Sequence, residues 1–460
     1  MSVPVSPHGV ILPTLGFVQL PMAQTADVAL VRSHGGRTQI SHGSTTVRLP
    51  ANLGVDGPGW WSVRALVAGT EGQDLRVRLD DVDPYRDHYE PVEPQRLPSG
   101  EATKWQELVA AAWRSLVHRL PDFADALRVG FDSFAPRPFT FFRARSASSN
   151  EAFGSAILSR PTDSSTLAAM IVHEFQHSRL GALTQIAGLW ENDPRERLYV
   201  PWRDDPRPIG GVFQGVYAFF GMTTFWRASA CDSQGMFEYA YHREVTRQGL
   251  AVIRRDEALT DAGRRFVDNI ADVLDEWLLE EIPESFVTAA KRVTTDHRIG
   301  WRIRHLRPDP TLTGHLVDMW RGRRPTTRLV HTPDRAPTSV PDGTWTHARA
   351  DLTRLATSTP GNHTAWRAVP DATPADLALV TNRFDDAVRA YRADLERNPD
   401  SATALAGLTI ALAAQGTSPT VRTLMRRPEL VRAVHRRIRT DTEPRTSVEA
   451  VADWIGRTVL

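Results

Sequence analysis

The feature that most restricts the fold of this chain is a change of hydrophobic period near residue 100. From Arg37 to about Asp83 the residues form short alternating segments, "TTVRLP", "WWSVRALVA" and "LRVRLDDVDPY", separated by the turn-forming "GVDGPG" and "GTEGQ". Alternation of period two between turns is the pattern of half-buried strands, so residues 1–100 are expected to form an N-terminal β-rich layer. Trp60 and Trp61 are neighbours there, and successive strand residues face opposite ways, so one ring packs inside and the other is half exposed. From Glu101 the period is helical: in "EATKWQELVAAAWRSLVHRL" the residues Trp105, Leu108, Ala112 and Leu116 share one face.

Two short β-like stretches interrupt the helical region, "PFTFFRARS" (Pro138 to Ser146) and "AFGSAILSRP". The next helix opens at "PTDSSTLAAM", with Asp163 or Ser164 as its N-cap, and is expected to end near Gly188. Further helical segments, "VFQGVYAFFGMTTFW", "QGMFEYAYHREVTRQGLAVI", "DAGRRFVDNIADVLDEWLLEEI" and "ESFVTAAKRVTTDHRIGWRIRHL", complete a helical metal-binding domain over 101–307. Residues 308–374 are rich in Pro, Thr, Arg and Asp with little period and read as an extended linker or wrap. In 375–460, "ADLALVTNRFDDAVRAYRADLERNPDSATALAGLTIALAAQG" resembles one tetratricopeptide-type helical pair, with a generic helical hairpin equally open. A single pair cannot bury its own apolar face, so it is expected to dock on the rest of the chain. The fold class is α+β, mostly α.

The stretch "IVHEFQHSRLGAL" lies inside the capped helix and carries the chemistry. His173 and His177 are one turn apart on one face and can bind a single ion, with Glu174 beside them. With 15 His in 460 residues, such a match arises by chance about 0.03 times. A metal site is therefore the better reading than a pair of histidines satisfied on a helix face. Position 183 is Leu, not the third histidine of the extended HExxHxxGxxH motif, so a third ligand must come from another element. The candidates are Gln214, Glu238, His242 and Glu244, with Glu238 favoured because a carboxylate on a later helix commonly completes such a site.

Directly after the metal helix comes "YVPWRDDPRPIGG". Its prolines pre-set the backbone, and Arg203 or Arg207 is suited to bidentate capture of a carboxylate; the plainer reading pairs them with Asp204 or Asp205. There is no glycine-rich phosphate loop and no G-x-S-x-G elbow, which leaves nucleotide-dependent and serine-hydrolase chemistry without support. The single cysteine, Cys231, rules out a disulfide framework or a multi-cysteine metal centre and is expected to be a buried small residue. With 55 Lys+Arg against 54 Asp+Glu, no charge run suggests a nucleic-acid or membrane partner. The N-terminus lacks a signal-peptide pattern and no stretch has the apolar length to span a bilayer, so a cytoplasmic location is expected.

Taken together, "LAAMIVHEFQHSRLGAL", "LYVPWRDDPRPIGGVFQGVYAF" and the upstream "LDDVDPYRDHY" resemble the HExxH-motif proteins encoded beside ribosomally made, modified peptides. The resemblance spans roughly Leu79 to Arg247. It implies an iron(II)- and 2-oxoglutarate-dependent peptide β-hydroxylase that uses O2, acts on a precursor peptide and works beside a radical S-adenosylmethionine partner. It further implies iron on His173 and His177, with a contribution from Arg203, Arg207 and the "VFQGVYAF" helix; histidine is found in the family where this chain has Gln214. Glu238 and Arg243 match a Glu-Phe-Ala-x-x-Arg run that here reads "EYAYHR", which makes Arg243 a third candidate for the cosubstrate carboxylate. The alternative from the helix alone is a zinc metallopeptidase trimming a precursor or leader peptide, with Glu174 as general base.

Overall fold

The computed structural model describes residues 2–5, 9–20, 28–70, 72–87, 90–323, 335–358, 363–441 and 446–458. Among the described residues it is mixed α/β, dominated by helix with three small sheets, and no helix is long and apolar enough to cross a membrane. The chain divides into two compact units, Met1–Ile186 and Ala187–Leu460.

In the first unit, strands Val28–His34, Arg37–His42 and Thr45–Arg48 form an antiparallel meander with Ser2–Pro4 added at one side. Gly9–Leu12, Gly16–Gln19 and Trp60–Ser62 form a second, three-stranded sheet. Trp60 is fully buried among Val10, Val18, Ile40 and Val47, while Trp61 is half-buried, as alternation requires.

The third sheet positions the candidate site. Its strand order is Ser146–Ser148, Ser155–Ser159, Ser133–Arg137, Gln73–Leu79, Arg64–Thr70, and the central Ser133–Arg137 runs parallel to both neighbours. Parallel neighbours need crossover connections: the one from Ser133–Arg137 to Ser155–Ser159 passes through strand Ser146–Ser148, and the other is helical. Ser99–Arg119 and Pro121–Gly130 connect Gln73–Leu79 to Ser133–Arg137. Ser99–Arg119 packs on the edge strand Arg64–Thr70 and on the histidine-bearing helix, Ser164–Thr184. On that edge strand the backbone of Val67 donates to Oε1 of Gln106 at 3.1 Å and accepts from its Nε2 at 2.6 Å, so a side-chain amide stands in for the missing neighbour strand.

The histidine helix thus belongs to the β-rich unit, not to a helical domain beginning at residue 101. The reason is the pairing of Ser133–Arg137 with strands on both sides, a non-local contact that local period does not reveal. The strand expected at Pro138 to Ser146 is also displaced. Strands end at Arg137 and resume at Ser146, because Pro138 has no N–H to give a ladder and Phe139 and Phe141 face solvent.

In the second unit, Ile209–Ala228, Ser233–Ile253, Asp261–Leu278 and Glu284–His305 are long helices. The expected linker contains helices of its own, Pro310–Trp320, Ala348–Ser358 and His363–Trp366, while 324–334 and 359–362 of it lie outside the described residues. Leu316, Val317 and Met319 are buried in one core with Ile299, Ile303 and the C-terminal helices, so the segment is part of the body. The repeat-like pair, Phe384–Arg397 and Ala402–Gln415, packs through its second helix on Glu284–His305, which provides the docking face the pair needs. Within the pair, Gly407 lets the two helices approach closely: a Cβ there would lie 2.3 Å from the Tyr391 ring. Cys231 is exposed, contrary to expectation, because it sits in the short turn between two helices.

Candidate metal centre

Asp163 caps the histidine helix. Its Oδ1 accepts from Thr166 N at 2.8 Å and its Oδ2 from Thr166 Oγ1 at 2.7 Å, while the helix ends at Thr184, before the expected Gly188. From Leu167 to Leu180 every residue is buried except His173, His177 and Arg179. Phe175 fixes the buried side, with its ring 5.3 Å from Phe123 and 5.7 Å from Phe131. What remains is a narrow half-buried face carrying the two imidazoles.

His173 Nε2 and His177 Nε2 are 3.1 Å apart, with the rings edge-on at 82°. Two nitrogens bound to one first-row ion at about 2.0–2.1 Å stand about 3.0–3.4 Å apart, so the pair fits two adjacent coordination positions. Glu174 is only 1% exposed; it accepts a hydrogen bond from Ser148 Oγ at 2.5 Å and so ties the helix to Ser146–Ser148, an edge strand of the sheet. Among the described residues, no three His, Cys, Asp or Glu side chains gather as a metal-ligating group.

The candidates for the third position lie in the second unit and have commitments there. Glu238 accepts from Arg354 Nε at 2.8 Å, and its other oxygen is 3.5 Å from His242 Nδ1. His242 packs against the rings of Phe219 and Trp226, and burial pushes its pKa down, which keeps the imidazole neutral. Glu244 chelates Arg247 at 2.7 and 2.8 Å. Gln214 is half-buried on Ile209–Ala228. Within the second unit, Glu238, expected as the third ligand, forms an ion pair with Arg354.

The arginines divide. Arg203 and Arg207 both donate to Asp205, at 3.0 and 2.9 Å, which is the plainer of the two readings of that loop. Arg243 is buried and donates to the carbonyls of Trp277 and Glu280 at 2.7 and 3.2 Å, closing the C-terminal end of Asp261–Leu278.

A second polar cluster forms around Asp204, at the tip of the same loop. His297 Nε2 and Arg304 Nη2 approach its Oδ1 to 3.3 and 3.5 Å, and His347 Nε2 its Oδ2 to 3.1 Å. Tyr199 OH is 3.2 Å from His297 Nδ1, so a neutral His297 protonated at Nε2 accepts from the phenol, with Nε2 left 3.3 Å from Asp204 Oδ1. Sequence reasoning missed this cluster because His297 and His347 are distant in the chain. The available signal was the polar set 297, 304 and 305 on one face of the helix Glu284–His305, where its C-terminal half is mostly buried. Burial alone would raise the Asp204 carboxyl, but hydrogen bonds from His297 and His347 outweigh it and hold it well below the usual range. A depressed carboxylate stabilises above the unfolded value of about 3.9, and that stability disappears as pH falls through the lower folded value. Asp204→Asn should therefore melt lower than wild type at pH 7, with the difference shrinking below about pH 3.9. Melting curves across that range measure it.

Compared with known proteins, the chain matches no family model and no curated protein.

Proposed function

We propose that this chain is an iron(II)- and 2-oxoglutarate-dependent hydroxylase acting on a side-chain Cβ of a ribosomally made precursor peptide. The reading rests on the resemblance of its motifs, and the observation that favours it over a zinc peptidase is the placement of Glu174. A general base must reach the proton it removes, and Glu174 is instead buried and bonded to Ser148. His173 and His177 would hold the iron, which when bound supplies the activation of dioxygen. One oxygen atom enters the peptide as hydroxyl and the other leaves in succinate, with loss of CO2 from 2-oxoglutarate.

The chain's own residues position the reaction. Glu174 and Ser148 fix the histidine face against the sheet, and the buried face around Phe175 keeps the helix from rotating. Arg203 and Arg207 are candidates for the cosubstrate's far carboxylate on the resemblance alone; a guanidinium carries five donors, so a bond to Asp205 does not use them up.

The discriminating variant is Glu174→Gln, which keeps the shape and can still accept from Ser148. Oxygen-dependent succinate release should stay within about tenfold of wild type, whereas loss of a general base costs about 10²–10⁴-fold. Cleavage of a co-expressed precursor peptide with zinc, in the absence of oxygen and 2-oxoglutarate, would sink the hydroxylase reading.

A further inference from the structure

Strands Ser133–Arg137 and Ser146–Ser148 flank Ser155–Ser159 on opposite sides, so the chain joining them crosses one end of that strand. Arg137 pairs with Ser159, and the Arg145 carbonyl accepts from Ser159 N, which places loop 138–145 at the end of the strand that leads to Asp163 and the histidine helix. At this position the loop exposes two large aromatic rings. Phe139 is 45% and Phe141 53% exposed, and Phe142 meets Phe141 edge-on at 4.7 Å.

Charge accompanies the rings. Between Asp132 and Glu151 the sequence has three arginines and no acidic residue, although the whole chain is near neutral. Arg137 is tied to Asp87 at 2.8 Å, while Arg143 and Arg145 are exposed on the loop. Arg160, bonded to Glu101, lies over the Phe139 ring, its guanidinium carbon 4.6 Å from the centroid. Exposed rings flanked by one sign of charge mark a recognition surface rather than a leftover of folding.

We propose that loop 138–145 docks an extended peptide segment bearing acidic and apolar side chains, namely the part of the precursor outside the residue to be modified. Arginines suit carboxylates and the rings suit apolar side chains. An eight-residue loop is too small for a folded partner, whose interface needs about 1,000 Å², and is enough for a linear segment. The inference rests on the peptide-substrate reading above. An anionic bilayer offers similar chemistry, and the test separates the two.

Fluorescence anisotropy with the full chain, without iron or 2-oxoglutarate, should show binding of a short synthetic peptide of mixed glutamate, leucine and phenylalanine, and none of the same peptide with lysine for glutamate. The affinity should fall at least about tenfold in Phe139→Ser/Phe141→Ser and in Arg145→Glu. Both variants alter exposed side chains and should melt with wild type. Equal binding by wild type and the phenylalanine variant, or no binding of the acidic peptide, overturns the proposal. So does phenylalanine-dependent sedimentation with phosphatidylserine vesicles in place of peptide binding. Because no turnover is read, failure here leaves the succinate assay standing, and failure of that assay leaves this one standing.

Discussion

Replacing both histidines, His173→Ala/His177→Ala, should abolish stoichiometric iron(II) binding and lower oxygen-dependent succinate formation by at least about 100-fold, because even second-layer partners of a metal commonly change affinity or activity by 10–100-fold. The helix should survive. Both side chains sit on its half-buried face, Ala has the best helix propensity, and the Asp163 cap and Phe175 packing are untouched. Metal content by elemental analysis and the melting temperature therefore separate loss of the site from loss of the fold. A double variant that melts with wild type and still holds one iron per chain would remove His173 and His177 from the site. Loss of zinc binding and peptide cleavage, with no oxygen-dependent turnover in the parent, would instead favour the peptidase.

The buried face of the site was legible in the sequence to the extent that its cause is local. The Asp163 cap, the helix and the one-turn spacing of His173 and His177 are short-range features, and all of them appear in the structure. Trp60 inside and Trp61 half out follow from alternation in the same way. The role of Glu174 depends on Ser148, which reaches it only because Ser146–Ser148 folds back antiparallel on Ser155–Ser159. Likewise, 308–374 reads as a linker because its helices are short. Pro310–Trp320 is recognisable only once Leu316 and Val317 are seen to share a core with Ile299 and Ile303. Composition describes a segment's own preferences, and tertiary packing overrides them where a few apolar residues find a ready-made face.

The same logic of distant partners produces the largest stability effect expected in the second unit, at Arg349. Its guanidinium clamps Asp296 through two bonds, at 2.8 and 2.9 Å, and gives a third, at 2.8 Å, to Asp376. Asp376 also accepts from Tyr391 OH and from both the backbone N and Oγ1 of Thr373. Asp296, Arg349, Asp376 and Tyr391 come from four different helices, and each is nearly fully buried. One cation thus serves two buried carboxylates. Arg349→Met keeps a side chain of similar length but leaves both acids without a cation, and breaking a buried pair in this way costs about 3–5 kcal/mol. At about 2–4 °C per kcal/mol, the melting midpoint should fall by roughly 6–20 °C. The pH dependence gives the mechanism a separate signature. Burial already pushes the Asp296 carboxyl up, and removal of Arg349 raises it further. A carboxyl whose folded pKa lies above its unfolded value favours the native state at low pH and opposes it once ionised. The deficit of Arg349→Met should therefore shrink as pH falls from 7 toward 4, and adding Asp296→Asn should recover part of it at pH 7. If the single variant instead melts within a degree or two of wild type, or its deficit is the same at both pH values, the two carboxylates are not held by Arg349.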